Sequence, residues 1–274
     1  MPHSGYIIAP IVGALALGLI IGNKDRLQSG PAAKPPAAKS ALHGYLPLPY
    51  REDLITLIPP PPQPGSEVSK RDEEVRKAIL SSRSSARFAL AKADSVIPNQ
   101  QPIKIFSCSI GMQLTEQQNP ALFKLLARVR FDVRSAASVI EQHYQRPRPF
   151  VAAGGTPCSE DADTLRATGS YPSASSGVGW TLANIIAELD PSNREQIISR
   201  GYEYGQSRLV CDAVWESDVV AGRQLADAIL KRLREAPEFR SDLQRAKAEL
   251  YFAKASALES SPECKAEAVA LASR

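Results

Sequence analysis

The chain has 274 residues, with 33 Lys and Arg against 29 Asp and Glu and a formal net charge of +4. A hydrophobic fraction of 43% excludes a disordered chain, and so mild a charge gives no electrostatic footprint for nucleic acid. Aromatics at 6% are too few for a β-sandwich and fit a helix-rich, Ala- and Leu-rich protein.

Residues 6–22 are uncharged and almost all apolar. That length is at the short edge for a spanning helix and also fits the apolar region of a secretory signal. No Lys or Arg precedes the segment and no clear small-residue cleavage site follows it. Residues 1–22 therefore read as either a signal peptide or an uncleaved membrane anchor. They are the only expected membrane contact, and they place the rest of the chain in the periplasm or otherwise outside the cytoplasm. Residues 23–44 include SGPAAKPPAAKS and read as a semi-extended Pro/Ala-rich linker. The folded domain is expected over 45–274, enough chain for one core.

The run IPPPPQPGSE from Ile58 must be largely extended. Helical periods follow. Glu67 to Ala93 reads as one or two amphipathic helices. Pro120 to Tyr144 is a helix with Leu122, Leu125, Leu126, Val129, Val133, Ala136, Ala137 and Ile140 on one face, stopped by Pro147 and Pro149. Ser176 to Leu189 is apolar nearly all round, as a central buried helix is. Pro191-Ser192-Asn193 opens a helix through Arg208; helices over Ser217–Glu235 and Pro237–Leu258 complete the reading. There is no useful alternating strand pattern, so the fold class is all-α.

Cys108, Cys158, Cys211 and Cys264 include no CxxC pair, which leaves a zinc site unsupported. An even count behind an export-like segment predicts two disulfides in an oxidising compartment. Four cysteines allow three connectivities, and spacing alone does not choose among them.

Three stretches carry chemistry: HYQRPRPF (His143–Phe150), GSYPSASSGVGW (Gly169–Trp180) and GYEYGQSRLVCDAVWESDVVAGR (Gly201–Arg223). In order, spacing and flanking residues they resemble the phosphate pocket of the bacterial class A acid phosphatases, within the phosphatidic acid phosphatase type 2 superfamily. The likeness runs from about Tyr45 to about Ala255. It implies the superfamily's helical bundle, shared with vanadium haloperoxidases, and often an oligomer, so a homodimer is expected.

The family signature is a Lys, six residues and an Arg-Pro pair; then Pro-Ser-Gly-His; then Ser-Arg followed by a His and an Asp. The resemblance implies that the Lys and two Arg hold phosphate, that the second His attacks phosphorus, oriented by the Asp, and that the first His protonates the leaving group. No metal or other cofactor is implied. These residue types suit the reaction. Arg forks match phosphate oxygens, fixed cations stabilise the spreading charge of the transition state, and a neutral imidazole is nucleophilic near neutral pH.

On that pattern Arg148, Ser173, Ser207, Arg208 and Asp218 keep their places. Glu141 stands where the Lys belongs, Ala174 replaces the Gly, Ser175 replaces the acid His, and Val214 replaces the nucleophile. Valine has no lone pair for phosphorus. Of the three His only His143 lies inside the domain, in the motif's background, where it reads as a packed or capping residue. Asp212 could form an acyl phosphate only from an unsuitable direction.

The expectation is therefore a degenerate, inactive relative of the acid phosphatases. The other readings are an active phosphomonoesterase with altered machinery and a non-catalytic anion-binding module using Arg148, Arg208 and the Ser173 helix terminus. Phosphate or a phosphomonoester is expected to bind weakly, because Glu141 should pair with Arg148 or Arg208, and Asp218 with Arg208 or Arg223. A protein partner would suit the inactive reading. Ser173 reads as a helix cap, and Trp180 and Trp215 as core. The resemblance pairs Cys158 with Cys211, which leaves Cys108 for Cys264.

Overall fold

The computed structural model describes residues 42–47, 54–96, 102–159, 162–253 and 261–273. The apolar segment 6–22 and nearly all of the linker lie outside these residues. From Ala41 onward the chain forms one compact unit.

The helices are α1 (Glu67–Ser82), α2 (Ser85–Ser95), α3 (Ser107–Ile110), α4 (Pro120–Tyr144), α5 (Pro149–Ala152), α6 (Ala162–Arg166), α7 (Ala174–Leu189), α8 (Arg194–Val210), α9 (Glu216–Glu235), α10 (Pro237–Ala253) and α11 (Pro262–Ala272). A 3-10 turn over Pro102–Phe106 leads into α3, and another over Pro191–Asn193 into α8. No strand occurs among the described residues, so the fold is all-α.

Local chemistry sets the helix ends. The Ser66, Ser84, Ser173 and Ser261 hydroxyls each accept a backbone N–H three residues on, capping α1, α2, α7 and α11. Pro120 opens α4, where a missing N–H costs nothing, and Gln145 ends it in the left-handed region at φ 45°. The predicted helix over Glu67–Ala93 is two, broken by Arg83 and the Ser84 cap. The sequence reading missed α11, although Ser261 followed by Pro262 is a start signal; its lack of a clear apolar stripe hid it.

The helix α7 is the axis of the bundle. Val178, Leu182, Ala183, Ile185 and Ile186 are all buried, and α4, α8 and α9 pack around it. Glycines permit the closeness. A Cβ on Gly201 of α8 would lie 2.3 Å from the Ala183 Cβ and 2.6 Å from the Gly179 carbonyl oxygen. Gly201→Ala should force these helices apart, and urea unfolding should show a loss of about 1–3 kcal/mol. Trp180 departs from the reading as core: it is half-buried, with its indole N–H donated to Asp227 at 2.9 Å. Its place on α7 faces the rim, where the indole nitrogen needs an acceptor. Trp215 is buried and donates to the Pro147 carbonyl at 2.9 Å.

Polar pins close the ends. The Asp132 carboxylate accepts the Tyr45 and Leu46 N–H groups at 2.8 and 3.2 Å, and Arg128 donates to the His43 and Gly44 carbonyls. Buried Arg200 on α8 pairs with Asp94 of α2 and Glu267 of α11. The disulfides are Cys108–Cys264, tying α11 to α3, and Cys158–Cys211, tying the loop after α5 to the end of α8.

Candidate active site

The three sequence stretches meet at one end of the bundle, and Arg148, at the N-cap of α5, shows how they are joined. Its Nε donates to the Leu165 and Thr168 carbonyls at 2.8 and 3.1 Å. Its Nη1 donates to the Ala213 carbonyl at 3.0 Å, and its Nη2 to the Thr168 hydroxyl and the Gly169 carbonyl at 3.0 and 2.6 Å. Most of the guanidinium fork is spent on backbone oxygens. Arg148 stitches the loop before Ser173 to the turn before Val214.

Ser173 caps α7 through its hydroxyl, as expected, and its own N–H donates to the Asp218 carbonyl at 2.9 Å. Ala174 and Ser175 form the half-buried first turn of α7. Ser176 donates to the Val219 carbonyl at 2.8 Å, locking α7 onto α9.

Val214 is 5% exposed and sits in a small apolar cluster with Ala91, Leu209, Val210, Ala213 and Val219, backed by Phe88 and Leu165. A branched aliphatic side chain fills this space without any hydrogen-bonding requirement.

Asp218 is fully buried at the first turn of α9. Its Oδ2 accepts the Trp215 N–H at 2.7 Å, its Oδ1 accepts Arg146 Nη1 at 2.5 Å, and the Ser170 hydroxyl also donates to it. Burial pushes its pKa up, and Arg146 works against that shift. Arg146 reaches further, to Asp72 Oδ2 at 2.7 Å and the Ser217 hydroxyl at 2.7 Å. The expected partners of Asp218 were Arg208 or Arg223, and the structure corrects this to Arg146. Arg223 lies instead over the Tyr202 ring, 4.8 Å from its centroid. On α9, Asp218 faces inward over the Arg146 loop while Arg223, five residues on, points elsewhere.

Glu141, on α4, is also corrected. Among the described residues it makes no ion pair with Arg148 or Arg208; Arg148 acts on it at longer range. Burial pushes its carboxyl up to about 7, opposed by Arg148 and Arg134 and reinforced by Asp218. Partial desolvation, rather than a salt bridge, reduces its charge.

Arg208 lies in the last turn of α8 and is 7% exposed. Among the described residues its guanidinium makes no hydrogen bond or ion pair. Burial lowers its pKa; Tyr204 and Asp94 raise it, and Arg134 lowers it further. Its neighbour Ser207 turns away, donating to Asp94 at 2.6 Å.

His143 is exposed and its ring stands edge-on to Tyr144, 4.6 Å away. Both oxygens of Asp212 are held by Arg76, which donates from Nε at 2.6 Å and from Nη2 at 2.8 Å. A cavity of about 440 Å³ lies nearby, lined by Pro61, Asp72, Arg76, Tyr144, Arg146 and Trp215. The sequence reading gave no site role to Arg146, Asp72, Arg130, Arg134 and Tyr204, and weighed Arg146-Pro147 only as a shifted register that would put Val139 at the Lys position. Only Arg130, Arg134 and Tyr204 left a signal, as charged or polar pairs at helical spacing.

The hydrogen bonds of Arg148, the Ser173 cap of α7 and buried Asp218 thus join the three stretches at one end of an all-α bundle. The sequence matches the PAP2 superfamily over residues 125–238. It is 36% identical over 199 residues to a non-specific acid phosphatase of Providencia stuartii, covering 72% of this chain and 80% of that one. It is 34% identical over 209 residues to an acid phosphatase of Zymomonas mobilis, covering 76% and 79%. A non-specific acid phosphatase of Salmonella typhimurium is 32% identical over 195 residues, covering 70% and 78%. The chain belongs to the PAP2 superfamily, among the relatives of the non-specific acid phosphatases.

Proposed function

We propose that this chain is a catalytically silent member of its family, a scaffold that has kept the pocket's framework and lost its chemistry. The observation that carries this reading is Val214, buried in an apolar cluster at the nucleophile's position. The residues around it support the reading. Asp218, which should orient an imidazole, is filled by Arg146, Ser170 and Trp215. Ser175, in place of the acid, has a hydroxyl too weakly acidic to protonate a leaving group at neutral pH. Arg148 is occupied by carbonyls. The altered-enzyme reading has no comparable support, because Asp212 is claimed by Arg76 and His143 faces solvent.

The unpartnered Arg208 favours a second reading of the same scaffold, as a module that binds anions without turning them over. We place the domain outside the cytoplasm, exported or anchored through residues 1–22. The two disulfides support that location. No helix among the described residues is long and apolar enough to cross a membrane.

Hydrolysis of an aryl phosphate by the purified chain, from acid to neutral pH, tests the silent reading. The expected result is no phosphate release above an Arg208→Ala control. Release that Arg208→Ala abolishes would overturn it.

A further inference from the structure

Helix α11 forms one wall of a second cavity, of about 1000 Å³, whose other walls come from α2, the 3-10 turn over Pro102–Phe106 and α3. None of Arg148, Ser173, Arg208 or Val214 lines it, and both α2 and α11 lie outside the matched residues 125–238. On α2, Ala86, Ala89, Leu90 and Ala93 recur at helical spacing and present one apolar face to the cavity; Val269 and Ala270 line it from α11. Val269 is 62% exposed, an aliphatic side chain that no neighbour among the described residues covers.

The charged groups around the cavity are of two kinds. The carboxylates are committed. Asp94 accepts both Nη groups of Arg200, at 3.2 and 2.5 Å, and the Ser207 hydroxyl at 2.6 Å. Glu267 accepts Arg200 Nε at 3.0 Å. Glu263 turns back to the start of α11, where Ser261 and its own backbone N–H hold its pKa down. Arg200 and Asp94 are 3% and 2% exposed, so the floor is a closed ion pair shielded from water. Two cations are free: Lys104 and Lys265 are exposed and make no hydrogen bond or ion pair among the described residues. The Cys108–Cys264 disulfide sets its two Cα atoms 5.3 Å apart. Lys265 follows Cys264 and Lys104 stands four residues before Cys108, so the disulfide brings the two lysines to different walls at one end of the cavity.

We propose that this cavity binds an amphipathic anion, with a single acyl or alkyl chain along the α2 and α11 walls and a carboxylate or phosphate head between Lys104 and Lys265. Burial of the chain against apolar side chains drives binding, and a cavity of this volume holds a ligand of that size. The lysines select the sign of the head, because they are the charged groups lining the cavity whose hydrogen-bonding atoms are uncommitted. The site shares no residue with the phosphatase-like site, so it stands whether or not the chain turns over phosphate esters.

The test is calorimetric titration of the full chain at neutral pH with dodecanoate, dodecyl phosphate and dodecyltrimethylammonium, each below its micelle concentration. Both anions should bind one per chain and about tenfold or more tighter than the cation, and the tighter anion names the head group. Octanoate should bind about a hundredfold more weakly than dodecanoate, because each buried methylene is worth about fourfold. Ala89 is exposed on α2, so Ala89→Trp should fold, fill the cavity and weaken both anions about tenfold or more. Lys104→Glu with Lys265→Glu, both at exposed positions, should weaken the anions about tenfold and leave the cation no weaker. A cation bound as tightly as the anions, octanoate bound as tightly as dodecanoate, or no effect of the double lysine variant would each overturn the proposal. Binding unchanged by Ala89→Trp, as uptake by the apolar segment 6–22 would give, would also overturn it. So would no binding at all, and a dimer that Ala89→Trp dissociates would then assign the cavity to a second copy of the chain.

Discussion

A chain carrying Val214→His, Ser175→His, Glu141→Lys and Ala174→Gly together is expected to hydrolyse aryl phosphates where the unmodified chain does not. Each change supplies one missing part. The imidazole at 214 brings a lone pair to phosphorus, four residues before Asp218, whose hold by Arg146 and the Trp215 N–H it must compete with. The imidazole at 175 stands in the first turn of α7, where it can protonate a leaving alkoxide. Lysine at 141 reverses a carboxylate whose charge acts on Arg148. Glycine at 174 removes a side chain from the helix terminus that an anion must approach.

Losing a catalytic nucleophile costs on the order of a millionfold, so even a partial reconstruction should raise turnover by about a thousandfold. Adding Arg208→Ala to the reconstructed chain should lower it again by about a hundredfold or more, because the remaining unoccupied guanidinium is then lost. A folded reconstructed chain with no turnover would mean that the scaffold has drifted beyond the changed positions.

Asp218→Ala is expected to act on stability. The carboxylate is fully buried and accepts from the Trp215 N–H, Arg146 and Ser170. Arg146 bridges it to Asp72 and Ser217, so one carboxylate joins α9, α1 and the loop after α4. Removing it orphans the Trp215 N–H and unbalances the buried charge. Breaking a buried pair in this way costs about 3–5 kcal/mol, readable as a fall in the urea midpoint. Asp218→Asn keeps the shape and one acceptor, and should lose less. A change within about 0.5 kcal/mol for Asp218→Ala, the range of an ordinary surface substitution, would show that the network does not hold these elements together.

Much of this architecture is legible because its signals are local. The helix Pro120–Tyr144 is bounded by a proline at its first turn and by prolines beyond its end, and its apolar face repeats at helical spacing. The central helix shows as an apolar run, and Ser173 lies where a cap belongs. Local signals also mislead. Trp180 belongs to the buried helix by sequence but stands at its rim, because one turn-face of α7 meets solvent. The final helix was hidden because its stability comes from a disulfide and from Arg200–Glu267, neither of which gives it an amphipathic stripe.

The sequence by itself determined the helical class, the order of the three motifs and the residue types at their key positions, including valine where an imidazole is expected. These depend on residue identity and on spacing along the chain. The tertiary structure alone decided the charge partners. Asp218 finds Arg146, 72 residues away, in preference to the other arginines, and Arg148 spends its fork on carbonyls. Arg134, on another helix, opposes the charge on Arg208. Coulombic and hydrogen-bond energies depend on separation and burial in space, and packing α4, α8 and α9 around α7 sets both.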